Sequence, residues 1–317
     1  MDRLIELNTF LAVMDEGSFA RAARRIGRSA PGVTRIIGEL EHRIGVRLFD
    51  RNSRRCTPTE AARQFAANAR DIVCDYEHAV SGIRGEAVEA KGRLRITAPY
   101  FFGREHVAPL ILEFLEEQPG ISCELDLSDR PIDLLGERVD LAVRIGPISD
   151  LSLKARRAGV VRTLIVTSPE YLERSGTPTG LDDMKNHQLI QHGSQGDAPW
   201  RLVDGMGNPI DVSVHARFTV NQADAALAAA RAGHGLVTAL SYQVDADLRS
   251  GRLVSVLDRF APSPVPVHLA WPDGRERLLR ARLLIDYLAT RLSALPILGG
   301  VAAKRDASGR FPVSILV

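Results

Sequence analysis

A chain of 317 residues is too long for one small core and calls for two or three domains. Its 45% hydrophobic and 25% charged content is that of an ordinary globular protein, and a formal net charge of +2 excludes a polybasic nucleic-acid coat. Cys56, Cys74 and Cys123 are too few and too widely spaced for a disulfide framework or a CxxC zinc pattern. The N-terminus "MDRLIELNTFLAVMDEG" carries acids and no apolar signal-peptide core, and no apolar run reaches the roughly 18 residues of a membrane span, so a cytoplasmic protein without a membrane partner is expected.

The charge is unevenly placed. Residues 21–55 hold ten arginines (21, 24, 25, 28, 35, 43, 47, 51, 54, 55) against Glu39, Glu41 and Asp50, an excess of seven positive charges in 35 residues. The other 282 residues then sum to −5. A local basic patch on a slightly acidic chain is the footprint of a phosphate-binding module. Residues 4–16 read as a helix with Leu4, Leu7, Leu11 and Met14 on one stripe and Phe10 beside it. Gly17 stops it, and Ser18 caps a short second helix, "SFARAARRIG", that ends at Gly27. Ser29 caps a third helix with Pro31 in its first turn and Val33, Ile36, Ile37, Leu40 and Ile44 at helical spacing. Two helices across a tight Gly-containing turn form a helix-turn-helix, whose second helix suits a DNA major groove.

Next, "RLFDRNSRRCTPTEA" reads as a hairpin or wing carrying Arg51, Arg54 and Arg55. Thr59 opens a long helix running to about residue 89. Phe65, Ala69, Ile72, Tyr76, Ala79 and Ile83 on it follow a heptad pattern. The seam Phe65, Ala69, Ile72, Tyr76 and Ile83 must be covered, either by a second copy, giving a homodimer, or by the chain's own C-terminal domain. From Gly92 short apolar strands alternate with helices: "LRITAP", a helix near 103–117, "ISCELDL", a short helix near 131–137, "DLAVRIG" and "RTLIVTS". Then come "LIQHG", "VSVHARFTV", a helix at 222–231, "GLVTAL", "LVSVL", "VPVHLAW" and a last helix near 275–293. This is α/β, in two subdomains with a cleft between them. The tail from 296 to 317 has no clear periodicity and reads as loose.

"FLAVMDEGSFARAARRIGRSAPGVTRIIGELEHRIGVRLFDRNSRRCTPTEAA" resembles, almost throughout, the N-terminal signature of the LysR-type transcriptional regulators. "LRITAPYFFGREHVAPLILEFLEEQPGI", "VDLAVRIG" and "SPEYLERSGTP" are similar to sensor domains of that family, and the likeness covers roughly residues 3–293. The resemblance implies a multidomain α+β and α/β chain. Its parts would be a winged helix-turn-helix (1–60), a linker helix for dimerisation (61–90) and a sensor similar to type 2 periplasmic binding proteins (91–295). The sensor would divide into 91–165 with 266–295, and 166–265. It also implies dimers or tetramers on interrupted palindromes of double-stranded DNA, a small-molecule effector, no cofactor and no metal. Ala62 stands where relatives often have Gly, and Thr34 where they often have Ser.

Arg28, Arg35, Arg51, Arg54 and Arg55 are the expected phosphate or base contacts, because the guanidinium fork pairs with phosphate or guanine. Ser29, Pro31 and Thr34 lie where base edges come within reach, Ser29 serving equally as a pure N-cap. Some of Arg21, Arg24 and Arg25 are solvated, and Arg43 and Arg47 are structural or exposed. For the effector, "TAPYFFG" offers Thr97, Pro99 and Gly103 with its backbone amides. Tyr100, Phe101 and Phe102 form either an apolar wall or core. Arg144 neutralises a carboxylate or makes an internal salt bridge, with Gly146 beside it. His192 and Ser194, then Thr219 and Asn221 at a helix N-cap, complete the candidate cleft, which points to a small organic acid. Gly233, Gly235 and Thr238 follow at a helix–strand turn.

Other classes fit less well. "GRSAPG" and "RAGHG" match no P-loop or dinucleotide fingerprint. His187 and His192 lack a carboxylate or cysteine set for a metal, and no GxSxG elbow is present, so an enzyme is not expected. A solute-binding protein shares the sensor fold but not the basic N-terminal unit. A thiol-based redox sensor has only Cys123 in the sensor, inside an apolar strand.

Overall fold

The computed structural model describes residues 2–52, 55–84, 90–130, 133–134, 136–193, 198–213 and 215–299, without the side chains of 51, 52, 55, 78, 79 and 81–84. It divides into two compact units, 1–93 with 118–122, and 94–117 with 123–317.

In the first unit, α1 (Arg3–Glu16) starts where the Asp2 carboxylate accepts the Leu4 N–H at 3.0 Å. It stops at Gly17, in the left-handed region. Ser18 caps α2 (Phe19–Arg25), and Ser29 caps α3 (Ala30–Ile44), with Pro31 in the first turn and Gly45 closing the end. Strands β1 (Phe49–Asn52) and β2 (Arg55–Pro58) pair antiparallel as the wing. The Thr59 hydroxyl then accepts the Ala62 N–H at 3.1 Å and opens α4 (Glu60–Arg84). Phe10, Val13, Ala22, Val33, Ile37, Leu40 and Leu48 form one core, with the Phe10 ring 5.7 Å from Phe49 and 5.1 Å from Phe65.

The long helix corrects the expected seam. Ala62, Ala66, Ala69 and Val73 are buried in the core of their own unit, and Phe65 packs on it. Ile72 and Tyr76, 51% and 53% exposed, are left outside. The reason is angular. Apolar residues at 62, 65, 66, 69, 72, 73 and 76 cover more than one stripe, so one side closes the helix-turn-helix and the other stays free. Ile83 lies outside the described side chains.

In the second unit, β3 (Gly92–Ala98) leads into a helical turn, α5 (Tyr100–Phe102), a π-helical turn (Gly103–Val107) and α6 (Ala108–Glu117). Strands β4 (Ile121–Leu127), β5 (Leu141–Ile145) and β6 (Leu153–Val161) follow. The chain then enters a second sheet with β7 (Thr163–Thr167), α7 (Pro169–Ser175), a 3-10 segment (Leu181–Asn186) and β8 (Leu189–His192). A side hairpin of β9 (Trp200–Val203) and β10 (Pro209–Val212) precedes β11 (Phe218–Val220), α8 (Ala223–Arg231), β12 (Leu236–Leu240), α9 (Ser241–Ser250) and β13 (Val254–Val256). Finally β14 (Val265–Pro272) and α10 (Leu279–Ser293) return to the first sheet. The sheet orders are β4-β3-β5-β14-β6 and β11-β8-β12-β7-β13.

Four expectations change. β7 already belongs to the second sheet, so the crossover falls at Arg162 rather than between 165 and 166. "VSVHARFTV" is not one strand: β10 pairs with β9, and β11 joins β8 in parallel. The described residues of 131–137 form turns in place of a helix, with Glu137 N–H bonded to the Asp133 carbonyl. The tail is not loose from 296. A 3-10 turn, Pro296–Leu298, seats Leu298 on Gly159 of β6, where a Cβ would lie 2.6 Å from the Leu298 carbonyl oxygen. Residues 300–317 lie outside the described residues.

Candidate functional site

The first candidate surface is the outer face of α3. Val33, Ile36, Ile37 and Leu40 are buried, so Arg28, Ser29, Pro31, Thr34 and Arg35 are turned outward and all are exposed. Ser29 is a true N-cap, its Oγ accepting the Gly32 N–H at 3.2 Å. Thr34 donates its hydroxyl proton to the Ala30 carbonyl at 3.0 Å, which leaves its lone pairs outward. Arg35 lies 3.4 Å from Glu39 one turn on, at an exposed position where such a pair is worth little and yields readily to a phosphate.

The arginine cluster resolves into two groups. Arg25 pairs with Asp15 (3.2 Å) and Glu16 (3.5 Å), and Arg21 with Glu16 (3.9 Å). Asp15 also takes Arg70 of α4 at 2.6 Å, so these charges fasten α1, α2 and α4 together. Arg43 pairs with the buried Glu6, the structural alternative for that residue. Arg24, Arg28 and Arg47 are exposed and make no ion pair among the described residues. The acids at the end of α1 were the available sequence signal for this division. The side chains of Arg51 and Arg55, and all of Arg54, lie outside the described residues.

The second candidate site is built on strand ends. β3 and β5 run parallel, with Ile96 opposite Leu141 and Thr97 opposite Ala142. Pro99 and Tyr100 therefore share an edge with Arg144 and Gly146. Residues two apart on a strand share a face, so Thr97, Ala142 and Arg144 point the same way, as does His268, opposite Arg144 on β14. Arg144 is half-buried and has no carboxylate partner among the described residues. Burial pushes its pKa down, and no acid opposes the shift. The internal salt bridge is thus absent among the described residues. His268 Nδ1 lies 3.1 Å from the Gly146 carbonyl oxygen and holds the turn after β5.

Three residues expected at the cleft are placed elsewhere. Thr97 is completely buried, and its Oγ1 has no hydrogen-bond partner among the described residues, so it is a floor and not a lining residue. Gly103 is buried against Ala98 and Leu127. Phe101 packs on the core of the second sheet, its ring 5.9 Å from Tyr242. Phe102 is fully buried and so takes the core alternative. The Tyr100 amide is already taken, donating to Asp129 Oδ1 at 3.0 Å, so the helix start offers no free anion site there.

On the second sheet, Thr219 sits opposite Gln191 and Val220 opposite His192, with β8 flanked by β12. His192 Nε2 is 2.9 Å from the Thr238 carbonyl oxygen, which fixes the ring at the strand end. Thr219 and Asn221 are exposed. Asn221 is not the N-cap: α8 begins one residue later, with Gln222 in that place and no side-chain bond. Ser194 lies outside the described residues. Arg104, stacked over the Tyr100 and Phe101 rings at 5.6 and 5.1 Å, reaches Asp224 in the first turn of α8 at 3.7 Å. That contact sets the edge after β3 against the edge after β11, as expected of a ligand cleft at strand C-termini.

Two further chemistries are tested by the same geometry. No group of three or more His, Cys, Asp or Glu side chains among the described residues could hold a metal, and no helix among them is long and apolar enough to cross a membrane. Burial raises the Cys123 thiol to about 11, far from the range of a reactive thiolate.

Comparison with known proteins bears on both surfaces. Residues 4–63 match the family described as bacterial regulatory helix-turn-helix protein, lysR family, and residues 87–293 match the LysR substrate binding domain. The HTH-type transcriptional regulator CrgA of Neisseria meningitidis is 29% identical over 289 residues, covering 90% of this chain and 96% of that protein. An HTH-type transcriptional regulator of Xanthomonas campestris is 31% identical over 289 residues, covering 90% and 84%. Among solved structures, CrgA superposes with a TM-score of 0.59 at 29% identity, covering 91% of this chain and 98% of that one. The full-length Vibrio cholerae virulence activator AphB gives 0.59 at 28%, covering 90% and 98%.

Proposed function

We infer that this chain, which belongs to the LysR family of helix-turn-helix transcriptional regulators, reads an interrupted palindrome in double-stranded DNA as a homodimer or homotetramer, under control of a small organic acid. The family consists of regulators rather than enzymes, with a substrate-binding domain that serves an effector. No catalytic step, cofactor or metal is needed for this role, which belongs in the cytoplasm, with the DNA.

The observation that carries the DNA reading is the outward face of α3, where Arg28, Ser29, Pro31, Thr34 and Arg35 are exposed above a buried apolar stripe. Arg28 and Arg35, with Arg51, Arg54 and Arg55 of the wing, supply the phosphate and base contacts. The dimer uses the side of α4 that its own unit leaves open, Ile72 and Tyr76, with Ile83 one heptad further on in the sequence. A two-fold axis there presents two recognition helices to two half-sites.

The effector reading rests on Arg144. A half-buried guanidinium with no carboxylate partner among the described residues is costly unless something anionic joins it. A carboxylate on Arg144 would lie among Pro99, Tyr100 and Gly146 on one side and His192, Thr219 and Asn221 on the other. By bridging the two sheets it biases their arrangement, to the extent that it binds one arrangement better.

The test is binding of the full chain to a genomic DNA-fragment library at fixed salt, with sequencing of the bound fraction. Enrichment of an interrupted palindrome, lost in Arg35→Ala, is the expected outcome. Each lost phosphate contact lowers the slope of log affinity against log salt by about one. Uniform binding of all fragments, with Arg35→Ala unchanged, overturns the reading.

A further inference from the structure

His106 sits in the π-helical turn Gly103–Val107, on the first-sheet side of the sensor. Its ring lies 5.1 Å from Phe102 and 5.9 Å from Tyr242, and Phe102 meets Tyr242 edge-on at 5.1 Å. Tyr242 belongs to α9, between β12 and β13 of the second sheet. Phe101 also meets Tyr242 edge-on, at 5.9 Å. Three rings from the turn after β3 therefore grip one ring from the other sheet, and this aromatic cluster is a joint between the two halves. His106 Nε2 is buried there with no hydrogen-bond partner among the described residues. π-helical turns of this kind recur at functional sites, because the extra residue is held by the surroundings and not by helix propensity.

A buried imidazole nitrogen without a partner is tolerable when neutral and costly when charged, since the imidazolium needs acceptors for both N–H groups. The charged groups around the ring are few. Glu105, on the same turn, is bonded to Arg104 at 2.7 Å, and Arg104 also reaches Asp224 of α8. Asp245 of α9 is paired with Arg249. Glu105 and Asp245 both favour the charged ring, but burial outweighs them and lowers the His106 pKa below its ordinary value. Tyr242, whose hydroxyl burial holds protonated, offers only its ring. Both carboxylates are thus already engaged by arginines, and the unmet Nε2–H of a charged His106 is served by water only if α9 and the π turn separate.

We propose that His106 is a protonation switch on the joint between the two halves of the sensor, packed against Tyr242 when neutral and releasing that contact when it takes a proton from solvent. The sign follows from linkage. A histidine whose folded-state pKa is lowered favours the closed joint fully above the unfolded value of about 6.5, and that advantage is lost as pH falls below it. Acid then acts on the same two-half equilibrium that an effector acts on, with no ligand bound. The switch works whichever effector the cleft takes.

The test measures the distance between the halves in the full chain. Leu151 and Met206 are 100% and 87% exposed, the first between β5 and β6, the second at the β9–β10 turn. Leu151→Cys and Met206→Cys carry spin labels in a background with Cys56, Cys74 and Cys123 changed to Ser, diluted with unlabelled chain. Between pH 7.5 and 5.5 a second distance population is expected, its ratio to the first changing by up to roughly tenfold per pH unit for a single proton. His106→Phe keeps the ring packing and removes the titration, so the second population should disappear. His106→Gln, neutral at every pH, replaces it if the phenylalanine variant misfolds. His187→Phe should retain the response, although burial also lowers the pKa of His187. An unchanged distance in the parent, or a pH response that survives both His106 variants, overturns the proposal.

Discussion

Ile72→Ser together with Tyr76→Ser should dissociate the chain into monomers while leaving each monomer folded. Both side chains are about half exposed, so a partner helix has that remaining half to cover. Full burial of such a side chain is worth about 2 kcal/mol, so the uncovered half is worth about 1 kcal/mol each. A two-fold interface uses each residue twice, which brings the loss to about 4 kcal/mol, or roughly a thousandfold in the dimer dissociation constant. Neither residue belongs to the buried core of the helix-turn-helix unit, so thermal stability measured far below the dissociation constant should hardly change. Sedimentation equilibrium over a concentration series reads the constant directly. A dissociation constant within threefold of the parent refutes the seam. A monomer that no longer unfolds cooperatively would instead show that these side chains complete the fold of their own unit.

Phe10→Ala should cost about 3–5 kcal/mol in denaturant unfolding, because the ring fills the space between Phe49 and Phe65 and is wholly buried. A loss under about 1 kcal/mol would mean that the site collapses around the cavity. Gly235→Ala should cost about 2 kcal/mol or more, since Gly235 has φ +148 and a Cβ would run into the Gln188 carbonyl. Arg144→Gln should raise the thermal midpoint of the ligand-free chain, by removing a desolvated charge without a carboxylate partner among the described residues, and abolish the effector's influence on DNA binding. A lowered midpoint would point to a structural role. With its thiol near 11, only about one Cys123 in a thousand is thiolate at pH 8, so peroxide should leave it unmodified on the timescale that oxidises a free thiol, as mass spectrometry would show.

The parts of the fold legible in the sequence are those with local causes. Asp2, Ser18, Ser29 and Thr59 accept an amide proton at helix starts, and Gly17 and Gly45 close helix ends, so the helix-turn-helix can be read residue by residue. Strand β6 was not legible. It is an edge strand bonded to β14 alone, and the consecutive exposed residues Lys154, Ala155, Arg156 and Arg157 break any alternation. Helix α9 follows β12 with no intervening loop and little apolar content, so no punctuation marks it. Asn221 looks like a cap in isolation, but α8 begins only at Ala223, so Gln222 takes the N-cap place. The misplaced cleft residues share a cause, which is contact with distant parts of the chain. Thr97 lies opposite Ala142, which packs with Leu134 and Val139, and Phe101 and His106 find their partner, Tyr242, far along the chain. Nothing near those residues in sequence announces it.

The linker helix ties the two proposals for the DNA-binding unit together. Ala69 lies within the heptad seam by spacing, yet its methyl is buried in the same core as Ala66 and Val73. Ala62 shows the same fit at the helix start: it is completely buried, so its methyl is accommodated in the core. In the proposed dimer the partner therefore lies against a helix whose adjoining stripe is already core. Asp15 bonds both Arg25 and Arg70, and so bridges α2 and α4 through α1. In that proposed dimer a rotation of one α4 would open the buried alanine stripe of its own unit unless α3 moved with it. In the proposed dimer two half-sites would be read at a spacing set by the pair of linker helices, and a signal that altered their crossing would change the spacing rather than the recognition face.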